Sequence, residues 1–265
     1  MIPLRDNIPS RSIPVVNYLM IAACAVAFVF QLQDQKDGQA DLIEQYGMIP
    51  AQISNPGQPV TVRDIRPVRI RGQIRLAEIE RQLPPPVIPP VLTMLTCVFL
   101  HGGWMHFLGN MWSLWIFGDN VEDRFGHFGY LLFYLGCGVA ASVTHFASMP
   151  DSAMPTIGAS GAIAGVMGAY LVLYPRATVL SLVPIFYFIQ VIVLPAPIFL
   201  GIWFLMQLLQ GMSANASGVA WWAHIGGFVM GAAIAALLGR AHTLRPPVGE
   251  RLPNTDHITM YRYRR

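Results

Sequence analysis

Few residues of this sequence are suited to chemistry, and they are of recognisable types. Ser160 stands in the run Thr156-Ile-Gly-Ala-Ser-Gly-Ala162, His224 follows the pair Trp221-Trp222, and His106 and Asn110 are spaced i, i+4. A serine hydroxyl paired with an imidazole is a nucleophile with its base, and donors such as His106 and Asn110 can stabilise a developing oxyanion. The chemistry of such a group would be acyl transfer. Taken singly, each residue also has a plainer reading. The i, i+4 spacing stacks His106 and Asn110 on one helix face, where an interhelical hydrogen bond would serve packing alone. Gly161, Gly165 and Gly168 make the surroundings of Ser160 a small-residue packing face. His224 alone is equally a structural residue or a proton relay. The elbow motif G-x-S-x-G is excluded, because position 162 is alanine and no strand is expected before the serine. His101 and His145 fall near the ends of apolar segments, where a histidine is cheap, and read as structural. Cys24, Cys97 and Cys137 show no CxxC spacing and read as apolar packing residues rather than disulfide or zinc ligands.

The elements that must position these residues follow from the distribution of charge. The chain of 265 residues has 17 Lys and Arg and 14 Asp and Glu, 12% in all, against about 25% in an ordinary soluble domain. That excludes a disordered or nucleic-acid-coating chain. Charge-free runs extend over Ser12–Gln33, Gln82–Gly118, Phe125–Pro150, Ser152–Pro175 and Ala177–Gly239. Together they occupy about two thirds of the sequence, the pattern of a multi-pass membrane protein. A spanning helix needs about 20 apolar residues. The prolines at positions 84–86 and 89–90 limit the second run to one helix, and the small, polar stretch Gly211–Gly218 divides the last run in two. Six helices are expected, at about 13–32, 104–121, 129–148, 157–174, 180–210 and 219–239, with Pro184, Pro195 and Pro197 kinking a long fifth helix.

The expected organisation is an all-α bundle of six transmembrane helices over 13–239, with a short tail over 1–12 and a basic tail over 240–265 holding six arginines. No cleavable signal peptide is expected, so the first span would stay as an anchor. The long first connection, about 33–103, reads either as an interfacial, partly helical segment resting on the outer leaflet or as a solvated loop. An even number of spans puts both tails on one side. That side carries ten Lys and Arg and the other carries seven, all in the long connection, so the tails are assigned to the cytoplasm. The second, fourth and sixth helices then enter from the outer face. Asn110, Ser160 and His224 lie three to seven residues inside their starts, roughly 5–10 Å deep for all three. Residues chosen independently for packing would have no reason to share a depth.

This constellation resembles the rhomboid family of intramembrane serine proteases. The motifs are His101-Gly-Gly-Trp-Met-His106-Phe-Leu-Gly-Asn110, Val121-Glu-Asp-Arg124, Gly158-Ala-Ser160-Gly161 and Ala223-His224-Ile-Gly-Gly227-Phe-Val-Met-Gly231. The resemblance implies Ser160 as nucleophile, His224 as general base in a dyad without aspartate, and His106 and Asn110 as oxyanion donors beside the Ser160 N–H. It makes Glu122 and Arg124 a structural element and the fifth helix, with the loop before the sixth, a substrate gate. It implies hydrolysis of peptide bonds in or beside transmembrane helices of substrate proteins, with no cofactor, metal or nucleic acid, in a bacterial inner (plasma) membrane. Leu92-Thr93 departs from the Trp-Arg pair of many members, and Ala164 stands where some carry a tyrosine stacked on the histidine. Two rival readings are an inactive rhomboid-like protein that binds transmembrane helices and a proton-coupled transporter using His106 and His224. The first would have lost the serine or the histidine, and the second predicts midplane carboxylates and related halves, neither of which the sequence displays.

Overall fold

Each of the six expected segments contains a helix, and the differences from expectation lie at the ends and between them. The structure, a computed structural model, describes residues 1–37, 42–70, 73–185, 188–212, 219–246, 250–251 and 261–262. In chain order the elements are β1 (Ile2–Asp6), α1 (Val15–Asp37), α2 (Leu42–Tyr46), α3 (Pro50–Ser54), β2 (Thr61–Ile70), β3 (Gln73–Gln82), α4 (Thr93–Thr96), α5 (Trp104–Phe125), α6 (His127–Ser148), α7 (Ser160–Leu173), β4 (Thr178–Ile185), β5 (Phe188–Pro195), α8 (Ala196–Gly211) and α9 (Trp221–Arg240). Most of the expected C-terminal tail, and most of the Gly211–Gly218 break, lie outside the described residues.

Among the described residues, three helices are long and apolar enough to cross a membrane, Val15–Asp34, His127–Ser148 and Trp221–Arg240. A fourth is added when Pro90–Phe99 and Trp104–Phe125, bent by 78°, are counted as one span. α7 and α8 are apolar but have 14 and 16 residues, about 21 and 24 Å of helix against a hydrocarbon core of about 30 Å. The protein is a mostly helical integral membrane protein, and helix length by itself does not establish six crossings.

The purely α-helical expectation is corrected in two places. Residues 178–185 and 188–195 do not begin a long kinked helix. They form the antiparallel hairpin β4–β5, and β1 adds to its other edge to give the order β1-β4-β5. The run is rich in β-branched residues, Val179, Val183, Ile185, Ile189, Val191, Ile192 and Val193, which suit a pleated strand better than a helix. Pro184 sits beyond Leu182, the last residue of β4 paired with β1, where its missing N–H costs that pairing nothing. Pro195 precedes α8 and Pro197 lies in its first turn, the position where proline fits a helix start. The prolines therefore delimit a helix rather than kink one. In the long first connection, β2 and β3 pair residue for residue from Thr61↔Gln82 to Ile70↔Gln73. The β-branched residues Thr61, Val62, Ile65, Val68, Ile70, Ile74 and Ile79 suit strands, where an interfacial helix is one of the expectations.

α7 forms the centre of the bundle, with every residue from Gly161 to Tyr170 buried, and it packs against α5, α6 and α9. Its approach to α9 is closest. A Cβ built on Gly227 would strike the Gly161 carbonyl, one on Gly231 the Gly165 carbonyl, and one on Gly168 the Phe228 carbonyl. The helices touch backbone to backbone, which only glycine permits.

The end of the bundle opposite Ser160 is tied by carboxylates. Glu122 is buried and accepts the N–H groups of Val16 at 3.0 Å and Asn17 at 2.7 Å, besides contacting His127 Nδ1. It satisfies two donors that the start of α1 cannot pair internally. Asp123 takes the Arg11 and Ser12 N–H groups and the Ser12 hydroxyl. Arg124 exchanges hydrogen bonds with Arg245, Nε to O at 2.6 Å and O from N at 2.9 Å. Asp6, at the end of β1, accepts from Asn120 at 2.6 Å and from the Tyr170 hydroxyl. The Asn17 side chain donates to the Leu114 carbonyl at 3.0 Å and accepts from Tyr130 at 2.8 Å, joining α1, α5 and α6.

Candidate active site

The four residues singled out in the sequence line one cavity of about 510 Å³ at the end of the bundle where α5, α7 and α9 begin. α7 starts abruptly. Gly158 has φ +123, a conformation that side chains rarely tolerate, and its N–H is held by the Cys97 carbonyl at 2.9 Å. Ser160 is thereby the first residue of the helix. The first i to i−4 bond that α7 makes runs from Ile163 N to Ala159 O. The N–H groups of Ser160 and Gly161 precede it and have no intrahelical partner.

His224 enters from the first turn of α9 and is buried. Its Nε2 lies 2.8 Å from Ser160 Oγ, and its Nδ1 lies 2.7 Å from Gln207 Oε1 on α8. The ring is flanked by Trp203, with centroids 6.0 Å apart, and by Trp221 edge-on at 5.9 Å. No ring comes from position 164, whose alanine is buried in the core.

His106 and Asn110 come from the first two turns of α5, on one face as their spacing requires. His106 Nδ1 accepts the Gly102 N–H at 3.3 Å, so in the neutral ring the proton sits on Nε2. That Nε2 faces Gly158, where an added Cβ would come within 2.7 Å of it. Glycine at 158 thus gives both the turn into α7 and room for the imidazole. Asn110 Nδ2 is buried and, among the described residues, has no hydrogen-bond partner. A buried, unpaired amide donor costs free energy in the resting protein, and Asn110 is one of the residues that line the cavity.

His101 and His145 do not line the cavity. His101 is buried with its ring edge-on to His106, 5.3 Å between centroids, and its backbone exchanges two hydrogen bonds with the side chain of Gln31. His145 is buried in the last turn of α6. The cysteines are free and buried. Among the described residues no three His, Cys, Asp or Glu side chains gather where they could hold a metal ion.

Gln207 is the polar group that sequence reasoning overlooks. An amide within a span is expensive enough to attract notice. However, Gln190, Gln207 and Gln210 all occur in the same charge-free run; Gln190 falls in β5, and the register of α8 separates Gln207, which faces His224, from Gln210.

The Rhomboid domain profile matches residues 90–241, more than half of the chain. The chain belongs to the rhomboid family. All of the cavity residues named above lie within the matched segment. Rhomboid relatives include Rhomboid protease GluP of Bacillus subtilis, 41% identical over 78 residues, which are 29% of this chain and 15% of the relative. Rhomboid-like protein 11, chloroplastic, of Arabidopsis thaliana is 39% identical over 77 residues, 29% of this chain and 27% of the relative. Rhomboid protein 1, mitochondrial, of Saccharomyces cerevisiae is 28% identical over 151 residues, 53% of this chain and 40% of the relative. The chain thus spans less than half the length of these rhomboid relatives.

Proposed function

We propose that this rhomboid protein is an intramembrane serine endopeptidase that cleaves transmembrane or juxtamembrane segments of membrane proteins. The observation that carries the reading is the 2.8 Å contact between Ser160 Oγ and His224 Nε2 in a cavity also lined by Asn110, whose amide nitrogen has no partner among the described residues. In this reading Ser160 Oγ attacks the scissile carbonyl carbon while its proton passes to His224 Nε2. On the same reading the tetrahedral oxyanion is received by the Ser160 N–H, His106 Nε2–H and Asn110 Nδ2, donors of three residues that line the cavity. The imidazolium then gives its proton to the leaving amine. Water entering the cavity reverses the sequence to hydrolyse the acyl-enzyme.

The scissile bond must leave its helix before it can be attacked. Segments weakened by glycine or proline, with a small residue before the cut, are therefore the expected substrates. The name of the relative Rhomboid protease GluP supports the reaction class. The proposal includes six crossings, with the bent pair and the short helices α7 and α8 each counted as a span. It also places both tails in the cytoplasm of a bacterial inner membrane, supported by the excess of arginine on the tail side.

The test compares wild type, Ser160→Ala and His224→Ala in proteoliposomes containing a transmembrane reporter, with fluorophosphonate labelling of the serine alongside. Cleavage and labelling by wild type, and neither by folded Ser160→Ala, are expected. Cleavage that survives in Ser160→Ala would refute the mechanism, and an unlabelled, inactive wild type that still retains reporter helices would favour the inactive helix-binding alternative.

A further inference from the structure

Gln207 lies between Met206 and Leu208 in α8 and is buried, 6% exposed. Burying an amide is unfavourable unless its oxygen and nitrogen are both occupied. Here they are. Nε2 donates to the Trp203 carbonyl at 3.3 Å, and Oε1 faces His224 Nδ1 at 2.7 Å. The first bond decides the second. An amide whose nitrogen is given to a carbonyl presents its oxygen to the imidazole, and an oxygen can only accept, so Nδ1 carries the proton. Nε2 is then the nitrogen with the free lone pair, and it is the one facing Ser160. With the amide reversed, Nδ1 would have to accept, the proton would sit on Nε2, and the ring could not take the hydroxyl proton of Ser160.

We infer that Gln207 is a positioning residue that completes the Ser160–His224 pair, holding the imidazole in the tautomer and orientation in which it acts as a base. The inference rests on the protease reading. A base oriented by a third group is a recurring requirement of such pairs. The methyl group at 164 cannot supply that hold by stacking. Trp203 and Trp221 confine the ring sterically, but neither determines which nitrogen is protonated. Because the acceptor rides on α8 while the imidazole rides on α9, alignment of the base depends on α8 being seated against α9. Displacing α8 by the length of one hydrogen bond releases the ring.

The test is a kinetic comparison of Gln207→Leu, Gln207→Glu and Ser160→Ala with wild type in proteoliposomes. Gln207→Leu keeps the bulk and removes the acceptor, so kcat should fall about 10- to 100-fold with KM within about twofold. Phosphonate labelling of Ser160 should slow in parallel. Gln207→Glu restores an acceptor and should recover at least about a third of the wild-type kcat. Thermal unfolding of both variants separates this effect from loss of fold. Unchanged kcat in folded Gln207→Leu, a rise in KM alone, or equal impairment of the Leu and Glu variants would each overturn the positioning role. Continued cleavage by Ser160→Ala would instead bring down the protease reading itself, so the two failures are distinguishable.

Discussion

Replacing Gly227 with alanine is the sharpest perturbation that the helix geometry offers. Gly227 lies one turn below His224 on the face of α9 that meets α7. A Cβ there would overlap the Gly161 carbonyl oxygen, come within 2.9 Å of its carbon and touch Ala141 Cβ at 3.5 Å. The obstructing atoms are backbone, so no side chain can rotate away. α9 must retreat from α7 by roughly 1 Å, a shift that overpacked cores make at about 1–3 kcal/mol. The contact between Ser160 and His224 spans the same interface, and at 2.8 Å it has no slack. Opening by that amount takes it beyond hydrogen-bond range. A misplacement of this size costs about 100-fold in rate. The expected result is therefore a protein that still folds, with a modestly lowered melting temperature, and cleaves a reporter about 100-fold more slowly. Gly136 on α6, where an added Cβ meets nothing within 4 Å, is the control, and Gly136→Ala should match wild type in both measurements. Near-normal cleavage by folded Gly227→Ala would refute the claim that the α7–α9 glycine contact sets the dyad.

Three further outcomes are expected. Asn110→Ala removes the unpaired donor of a cavity-lining residue and should lower kcat about 100- to 1000-fold with little change in KM; a rise in KM alone would assign Asn110 to substrate binding instead. Glu122→Ala orphans the Val16 and Asn17 N–H groups in a buried setting and should destabilise the fold by about 2–4 kcal/mol, read by thermal unfolding in detergent. Asn17→Ala and Tyr130→Phe remove opposite ends of one buried hydrogen bond, so a double-mutant cycle should return a coupling near 1 kcal/mol, and additivity would show that the bond adds nothing.

Much of the candidate site is legible in the sequence because ionisable and polar groups are scarce there. In a run without charge, Ser160, His224, His106 and Asn110 stand out, although the depth expected of Ser160 is corrected. α7 begins at Ser160 itself rather than near 157, because the Gly158 turn delays the helix, while Asn110 and His224 lie six and three residues inside α5 and α9. The glycines of α7 and α9 are legible as a close helix contact for the same reason, since small residues at helical spacing have few other uses in an apolar segment. Gln207 is hidden by its companions Gln190 and Gln210, which composition cannot rank. The hairpin β4–β5 is hidden by a different cause. Absence of charge reports an apolar environment and is blind to backbone geometry, so a strand pair and a span look alike until β-branched content is weighed. The carboxylate clasp of Glu122 and Asp123 is half legible: the motif marks a structural element, but its partners Arg11, Ser12, Val16 and Asn17 lie more than 100 residues away in the chain.

The pairing of β1 with β4 imposes an order on assembly. Arg5 is bonded in register with Leu180, so about 170 residues of synthesis, roughly 10–30 s at cellular elongation rates, separate the two halves of one ladder. During that interval the first strand has neither edge covered, while α1, α5, α6 and α7 are made and packed. Such long-range pairings close late, because the chain between them must be arranged first. Arg5 and Asp6 within the strand place charges on an otherwise exposed edge, a common guard against wrong pairing. When β4 arrives, β1 closes over it and Asp6 reaches Tyr170 and Asn120, tying α5 and α7 together before α8 and α9 have been made.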